Sequence, residues 1–110
     1  MKVLKLGDAP KVPFNLDGKV MSNSDDFEII HLRLKAGQKL EKHRNPFDTV
    51  FYILQGKASI ETPEGFVLAE PDMVIELNSA IERSVENTGQ TDFRMLVIKK
   101  LTTKNKANDR

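Results

Sequence analysis

Turn signals recur at short intervals along this 110-residue chain, and this spacing most constrains what the chain can fold into. The segments between the turns are rich in β-branched and aromatic residues and have no helical periodicity of useful length. We predict turns at Asp17-Gly18, Lys35-Ala36-Gly37, Gln55-Gly56-Lys57, Pro63-Glu64-Gly65, Glu70-Pro71-Asp72 and Asn87-Thr88-Gly89. The intervening runs predict strands at 12–16, 27–34, 49–54, 57–62, 66–69, 73–77, 82–87 and 93–99. The predicted fold class is therefore all-β, a sandwich or barrel.

Composition narrows the class of protein further. The chain is 39% hydrophobic and 30% charged, with a net charge of +1, and no apolar run approaches the ~20 residues of a membrane span. We therefore expect no membrane partner. We also expect no nucleic-acid partner, because the chain has no large excess of basic residues. The absence of cysteine excludes disulfides and thiolate metal sites, and fits a cytoplasmic protein. We expect one domain over 1–101, followed by a polar, flexible tail at 102–110.

Alternation along two of the predicted strands indicates which side chains enter the interior. The run 50–54 is apolar without alternation, so we expect both of its faces to be covered, whereas 82–86 alternates and should expose one face. Arg83 lies on the same face as Val85, which should point inward. Burying an unpaired charge costs on the order of several kcal/mol. Arg83 therefore needs an anionic partner.

The stretch from Gly37 to Gly56 has a glycine, a histidine at His43 and a closing glycine at the spacing of the first cupin motif, which it resembles. In the second motif only Asn87 matches, and the run 93–98 after it is similar to the usual cupin ending. The resemblance spans about 27–99. It implies a double-stranded β-helix or jelly-roll barrel, often a homodimer, whose closure protects the sheet edges.

The resemblance also implies where a metal would lie. Its four ligand positions correspond to His43, Asn45, Thr49 and Arg83. An amide and a hydroxyl are weak ligands, and a guanidinium would repel a cation. We therefore expect no metal or other cofactor. The alternative is one divalent transition metal near His43, with ligands rebuilt from Glu41 and Glu76.

The same positions support a binding site of another kind. We expect Arg83, with His43 and Asn45 beside it, to bind the carboxylate or phosphate of a small molecule. The alternative is an internal ion pair between Arg83 and Glu41 or Glu76. A list of candidate ligand-binding residues follows from strand parity and the motif: His43, Asn45, Thr49, Arg83, Phe51 and Glu41.

Catalytic residues are not assigned by the sequence, and whether the chain is an enzyme stays open. His43 has no serine or cysteine partner for a nucleophilic dyad, although it could act as a general acid or base oriented by Glu41. His31 lies on the face opposite Leu32, so we expect it at a sheet edge or subunit contact.

Three functions remain compatible with these observations. The first is a metal-free cupin that binds a small anionic metabolite in its barrel. The second is a divergent metal-dependent cupin enzyme of the dioxygenase or isomerase type. The third is a structural or oligomerisation module with a filled barrel. The fold alone does not choose among them, because one fold hosts many functions.

Overall fold

A computed structural model describes residues 1–101 of the chain. One short 3-10 helix at Leu6–Asp8 precedes the sheet-forming part. The strands in chain order are β1 (Asp17–Asn23), β2 (Phe27–Leu34), β3 (Lys39–His43), β4 (Asp48–Gln55), β5 (Ala58–Thr62), β6 (Gly65–Ala69), β7 (Val74–Leu77), β8 (Arg83–Glu86) and β9 (Phe93–Lys100). This content confirms the all-β prediction. The predicted tail at 102–110 lies outside the described residues.

Two antiparallel sheets form the barrel. One has the strand order β1-β2-β9-β4-β7 and the other β3-β8-β5-β6, with every pairing antiparallel. Alternate residues of the facing strands supply one apolar cluster between the sheets, as period-two side-chain geometry requires. Its most buried members include Leu34, Ile53, Ile60, Val85, Phe93 and Met95. No helix among residues 1–101 is both long and apolar enough to cross a membrane.

Gly56 and Asn87 lie in loops that connect strands of the barrel, and each has a specific structural role there. Gly56 has φ of +80°, and a Cβ there would meet the backbone of Asp92 and Phe93, so this turn requires glycine. Asn87 is 1% exposed, and its side-chain amide donates to the carbonyl oxygens of Leu34 at 2.9 Å and Thr91 at 2.8 Å. These hydrogen bonds connect the residue after β8 to the end of β2 and to the loop before β9.

At the start of the barrel one predicted strand and one predicted turn were wrong, and one strand was missed. Residues 12–16 form no strand, and β1 instead includes Asp17 and Gly18, which the sequence predicted as a turn. A Cβ on Gly18 would lie 2.9 Å from Val12 Cγ2, so this glycine serves close packing rather than a reversal. Strand β3 was missed, because its mostly exposed, charged residues give no apolar alternation.

The prediction that both faces of 50–54 are covered was also wrong. Burial alternates along β4: Thr49, Phe51 and Ile53 are buried, whereas Val50 and Tyr52 on the outer face are only half-buried. The inner face is the one that forms the core.

Replacing Phe51 should test this assignment of faces. Phe51 is 2% exposed, so Phe51→Ala should lower the free energy of unfolding by about 3 to 5 kcal/mol through lost burial and the cavity left behind. Phe66 is 76% exposed, and Phe66→Ala is the matched control with a much smaller expected loss. Urea denaturation of both variants measures the difference. Equal losses would contradict the assignment.

Candidate functional site

A cavity of about 420 Å³ lies between the two sheets at one end of the barrel. The first sheet contributes Ile30, Leu32, Phe51, Met95, Val97 and Lys99. The second sheet and the loop after β3 contribute Leu40, His43, Asn45 and Arg83. The segment before β1 completes the wall with Val12, Phe14 and Leu16. Cavities of this size, mostly apolar with a few polar groups, are typical of small-molecule sites.

Arg83 is the most unusual residue of this cavity. Strand β8 turns it inward beside Val85, and only 1% of Arg83 is exposed. Its Nε and Nη2 atoms are buried and have no hydrogen-bond partner in the described chain. Burial lowers the pKa of Arg83 below its ordinary value, because desolvation disfavours the charged form. Arg83 therefore has the expected inward orientation, but no acidic side chain of residues 1–101 pairs with it.

His43 lies directly across from Arg83 in the pairing of β3 with β8. Leu40 pairs with Val85 in the same ladder, and an irregularity between Leu40 and His43 shifts the register. This β-bulge lets both Leu40 and His43 line the cavity although three positions separate them. His43 Nδ1 lies 3.0 Å from the Glu41 carbonyl oxygen, which can only accept. Nδ1 therefore donates, and Nε2 remains available to a ligand.

Asn45 reaches the cavity from the loop after β3. Its Oδ1 accepts from the backbone N–H of Phe47 at 3.1 Å, which fixes the orientation of the amide. The amide NH2 is therefore the group left for a ligand. Thr49 is 1% exposed and does not line the cavity; its hydroxyl donates to the Phe47 carbonyl at 3.1 Å. Thr49 supports the loop that carries Asn45.

Glu41 is placed differently from the expectation. The bulge in β3 removes it from the inward face it was expected to share with His43, and its side chain is 82% exposed. Its carboxylate lies 4.0 Å from Lys39 Nζ. Glu76 is also exposed, on β7. Neither acid forms the internal pair with Arg83 that the sequence left open.

Lys99 is a site residue that the sequence reasoning missed. It lines the cavity near the end of β9, and its Nζ lies 3.7 Å from Glu28 Oε1. Parity could have found it, because Lys99 follows the inward residues Met95 and Val97 at intervals of two. Lys99 already has a carboxylate partner, unlike Arg83.

The residues present do not fit a metal ion. Within residues 1–101, no group of three or more His, Cys, Asp or Glu side chains could hold one. At the ligand positions implied by the family resemblance, Asn45 Oδ1 is already an acceptor for Phe47 N–H, and Arg83 presents only N–H donors. Such donors suit an anion, not a divalent cation.

His31 lies outside this cavity, on the opposite face of β2. It is 4% exposed, and its Nε2 accepts from Arg94 Nε at 2.9 Å. Burial lowers the pKa of His31, and the nearby charges of Arg94 and Arg33 lower it further, with Asp17 acting in the opposite direction. The bond to Arg94 requires a ring nitrogen without a proton, so the fold favours neutral His31.

Solved structures with a similar fold include proteins described as cupins. The chain aligns with a cupin superfamily protein from Desulfitobacterium hafniense at TM-score 0.73 and 19% identity, covering 87% of this chain and 86% of that one. A predicted oxalate decarboxylase from Thermotoga maritima aligns at TM-score 0.80 and 18% identity, covering 91% and 99%. The polyketide cyclase RemF from Streptomyces resistomycificus aligns at TM-score 0.80 and 13% identity, covering 92% and 80%.

No protein-family model and no curated protein matches the sequence. The structural neighbours nevertheless confirm the cupin resemblance at the level of the fold: this chain is a cupin-type double-stranded β-helix. Neighbours with this fold include enzymes and proteins of unknown function. The fold therefore does not determine the function, which has to be inferred from the residues of the site.

Removing the Arg83 charge should stabilise the protein when no ligand is bound. A buried donor without an acceptor costs about 1 to 3 kcal/mol, and a charged one more, so Arg83→Met should raise the free energy of unfolding by at least about 1 kcal/mol. The protein should be unfolded, separated from small molecules and refolded before urea denaturation. Arg44→Met, at an exposed position, is the control with little expected change. A loss of stability in Arg83→Met would show that Arg83 is paired.

Protonation of His31 should destabilise the fold. The unfolded chain takes up the proton near pH 6.5, whereas the folded chain takes it up only at lower pH. Stability should therefore be complete above about pH 6.5 and fall as the pH decreases from there toward the lower folded-state pKa. Urea denaturation between pH 7.5 and 5.5 measures this fall, which should be smaller in His31→Gln. An unchanged pH dependence in that variant would contradict the assignment.

Proposed function

We propose that this chain is a metal-free cupin-fold protein that binds a small anionic metabolite in its barrel. Arg83 holds the carboxylate or phosphate of the ligand, with His43 and Asn45 beside it. No reaction is assigned. The observation that carries the proposal is the 1% exposed guanidinium of Arg83, which has two buried N–H groups and no acceptor in the described chain.

The buried guanidinium of Arg83 is energetically costly for the unliganded protein. A buried charge without a partner destabilises a fold, and natural proteins keep such costs mainly where function requires them. An anion in the cavity would supply charge-assisted hydrogen bonds, which are about twice as strong as neutral ones. Binding would thereby recover stability that the unliganded protein lacks.

The neighbouring polar groups are compatible with an anion. Asn45 offers its amide N–H groups, because its oxygen is held by Phe47 N–H. His43 offers Nε2, which accepts from a ligand hydroxyl in the neutral ring or donates to an anion when the ring is protonated. Both residues line the cavity with Arg83.

A divergent metal-dependent enzyme is the second candidate, and only the position of His43 favours it. The donor chemistry at Asn45 and Arg83 argues against it, as described above. Elemental analysis of protein purified without chelators tests it directly. A transition metal at a stoichiometry near one per chain, lost in His43→Ala, would favour this candidate over the anion site.

The filled-barrel module is the third candidate, and the cavity of about 420 Å³ argues against it.

The expected homodimer and the cytoplasmic location stay predictions. Size-exclusion chromatography with light scattering would test the dimer.

The proposed function predicts a ligand that stabilises the protein only through Arg83. In a thermal-shift screen of organic acids and sugar phosphates, a bound ligand at 100 times its Kd should add about 2.7 kcal/mol to stability. The stabilisation should disappear in Arg83→Met and persist in Arg44→Met. If no anion stabilises the protein in an Arg83-dependent way, the proposal is wrong.

A further inference from the structure

The chemistry of the cavity narrows the class of anion, provided that the proposed anion site at Arg83 is correct. We infer that the ligand is a monocarboxylate with an apolar body, which binds with its carboxylate on Arg83 and its body against the cavity wall. Three independent features lead to this inference: the free edge of the guanidinium, the charge balance of the cavity and the nature of its lining.

The free atoms of Arg83 form one edge of the guanidinium plane. Nε and Nη2 are the two nitrogens without a partner. Their N–H bonds point in parallel along the same side of the group, a geometry that matches the two oxygens of a carboxylate. A planar carboxylate that reaches this edge would therefore accept hydrogen bonds from both nitrogens at once.

The charge of the cavity favours a single negative charge on the ligand. Arg83 and Lys99 are the lysine and arginine residues of the lining, and Lys99 Nζ already lies 3.7 Å from Glu28 Oε1. Of these two cavity cations, only Arg83 has no acidic partner among residues 1–101. A dianion such as a phosphate monoester would bring a second charge into a site with one unmatched cation, and burying unmatched charge is costly.

The rest of the wall favours an apolar body. Nine of the thirteen lining residues are apolar, among them Leu32, Leu40, Phe51 and Met95, all from strands whose inner faces form the core. A sugar acid would leave its hydroxyl groups without partners along this wall. A hydrocarbon or aromatic body instead gains from burial, at about 25 cal/mol per Å² of apolar surface.

The volume sets an approximate size. The cavity volume of about 420 Å³ lies within the range of about 300 to 1,000 Å³ that is typical of small-molecule sites, so a ligand of the size of 3-phenylpropanoate fits it. Phe14 lines the cavity and is 66% exposed, which places it at the boundary with solvent. A ligand of this length would contact Phe14 with the end remote from its carboxylate.

Isothermal titration calorimetry with a matched ligand series tests the inference. The probes are 3-phenylpropanoate, its neutral amide, succinate, phenyl phosphate and gluconate, each titrated into wild-type, Arg83→Met and Arg44→Met protein. We expect 3-phenylpropanoate to bind at least about tenfold more tightly than any other probe. Arg83→Met should weaken this binding at least about tenfold, and Arg44→Met should leave it unchanged.

The outcomes separate this inference from the proposed function. If phenyl phosphate, succinate or gluconate binds most tightly and the binding depends on Arg83, the anion site stands and the inference about the ligand class is overturned. If no probe binds in an Arg83-dependent way, the proposed function and the inference both fail. Equal binding of the acid and its amide would overturn the role of the carboxylate.

A second variant pair tests the apolar wall without disturbing the core. Phe14→Ser should weaken binding of 3-phenylpropanoate several-fold, because it removes apolar surface at the edge of the cavity. Phe66→Ser is the control, since Phe66 is 76% exposed and does not line this cavity. Unchanged affinity in Phe14→Ser, or an equal loss in both variants, would contradict the proposed position of the ligand body.

Discussion

The central physical constraint in this barrel is one buried cation, Arg83, that has no counter-charge among residues 1–101. Arg83 is 1% exposed, and its Nε and Nη2 have no acceptor within the described chain. The surrounding core is otherwise an ordinary apolar cluster. Because desolvating an unpaired charge opposes folding, the fold tolerates here a cost that packing does not require. The proposed anion would bind in the cavity that Arg83 lines and would offset this cost.

The local structure of β3 prepares this site. A β-bulge between Leu40 and His43 sets His43 opposite Arg83 and leaves Glu41 in solvent, where it cannot neutralise the guanidinium. In the metal-binding arrangement implied by the family resemblance, these positions would hold a cation. Here Asn45 and Arg83 present N–H groups at two of the ligand positions, and such groups suit an anion rather than a divalent cation.

Much of the fold could be predicted from the sequence, because turn residues and alternating burial are local signals. The inward orientation of Arg83 followed from its parity with Val85. The bulge in β3 and the exposure of Glu41 could not be predicted, since a register shift depends on pairing with β8 and leaves no periodicity in β3 itself. The lack of a partner for Arg83 within residues 1–101 could not be predicted either, whereas the cavity residue Lys99 could have been found by parity alone.

An electron-density map of protein purified without added ligand would test directly whether an anion binds at Arg83. If an anion binds at Arg83, the map should show density in the cavity next to the Nε–Nη2 edge, shaped as a carboxylate or another anion. Its oxygens should lie about 2.7 to 2.9 Å from both nitrogens. A carboxylate of the chain itself on that edge, or a metal ion coordinated by His43, would contradict the account.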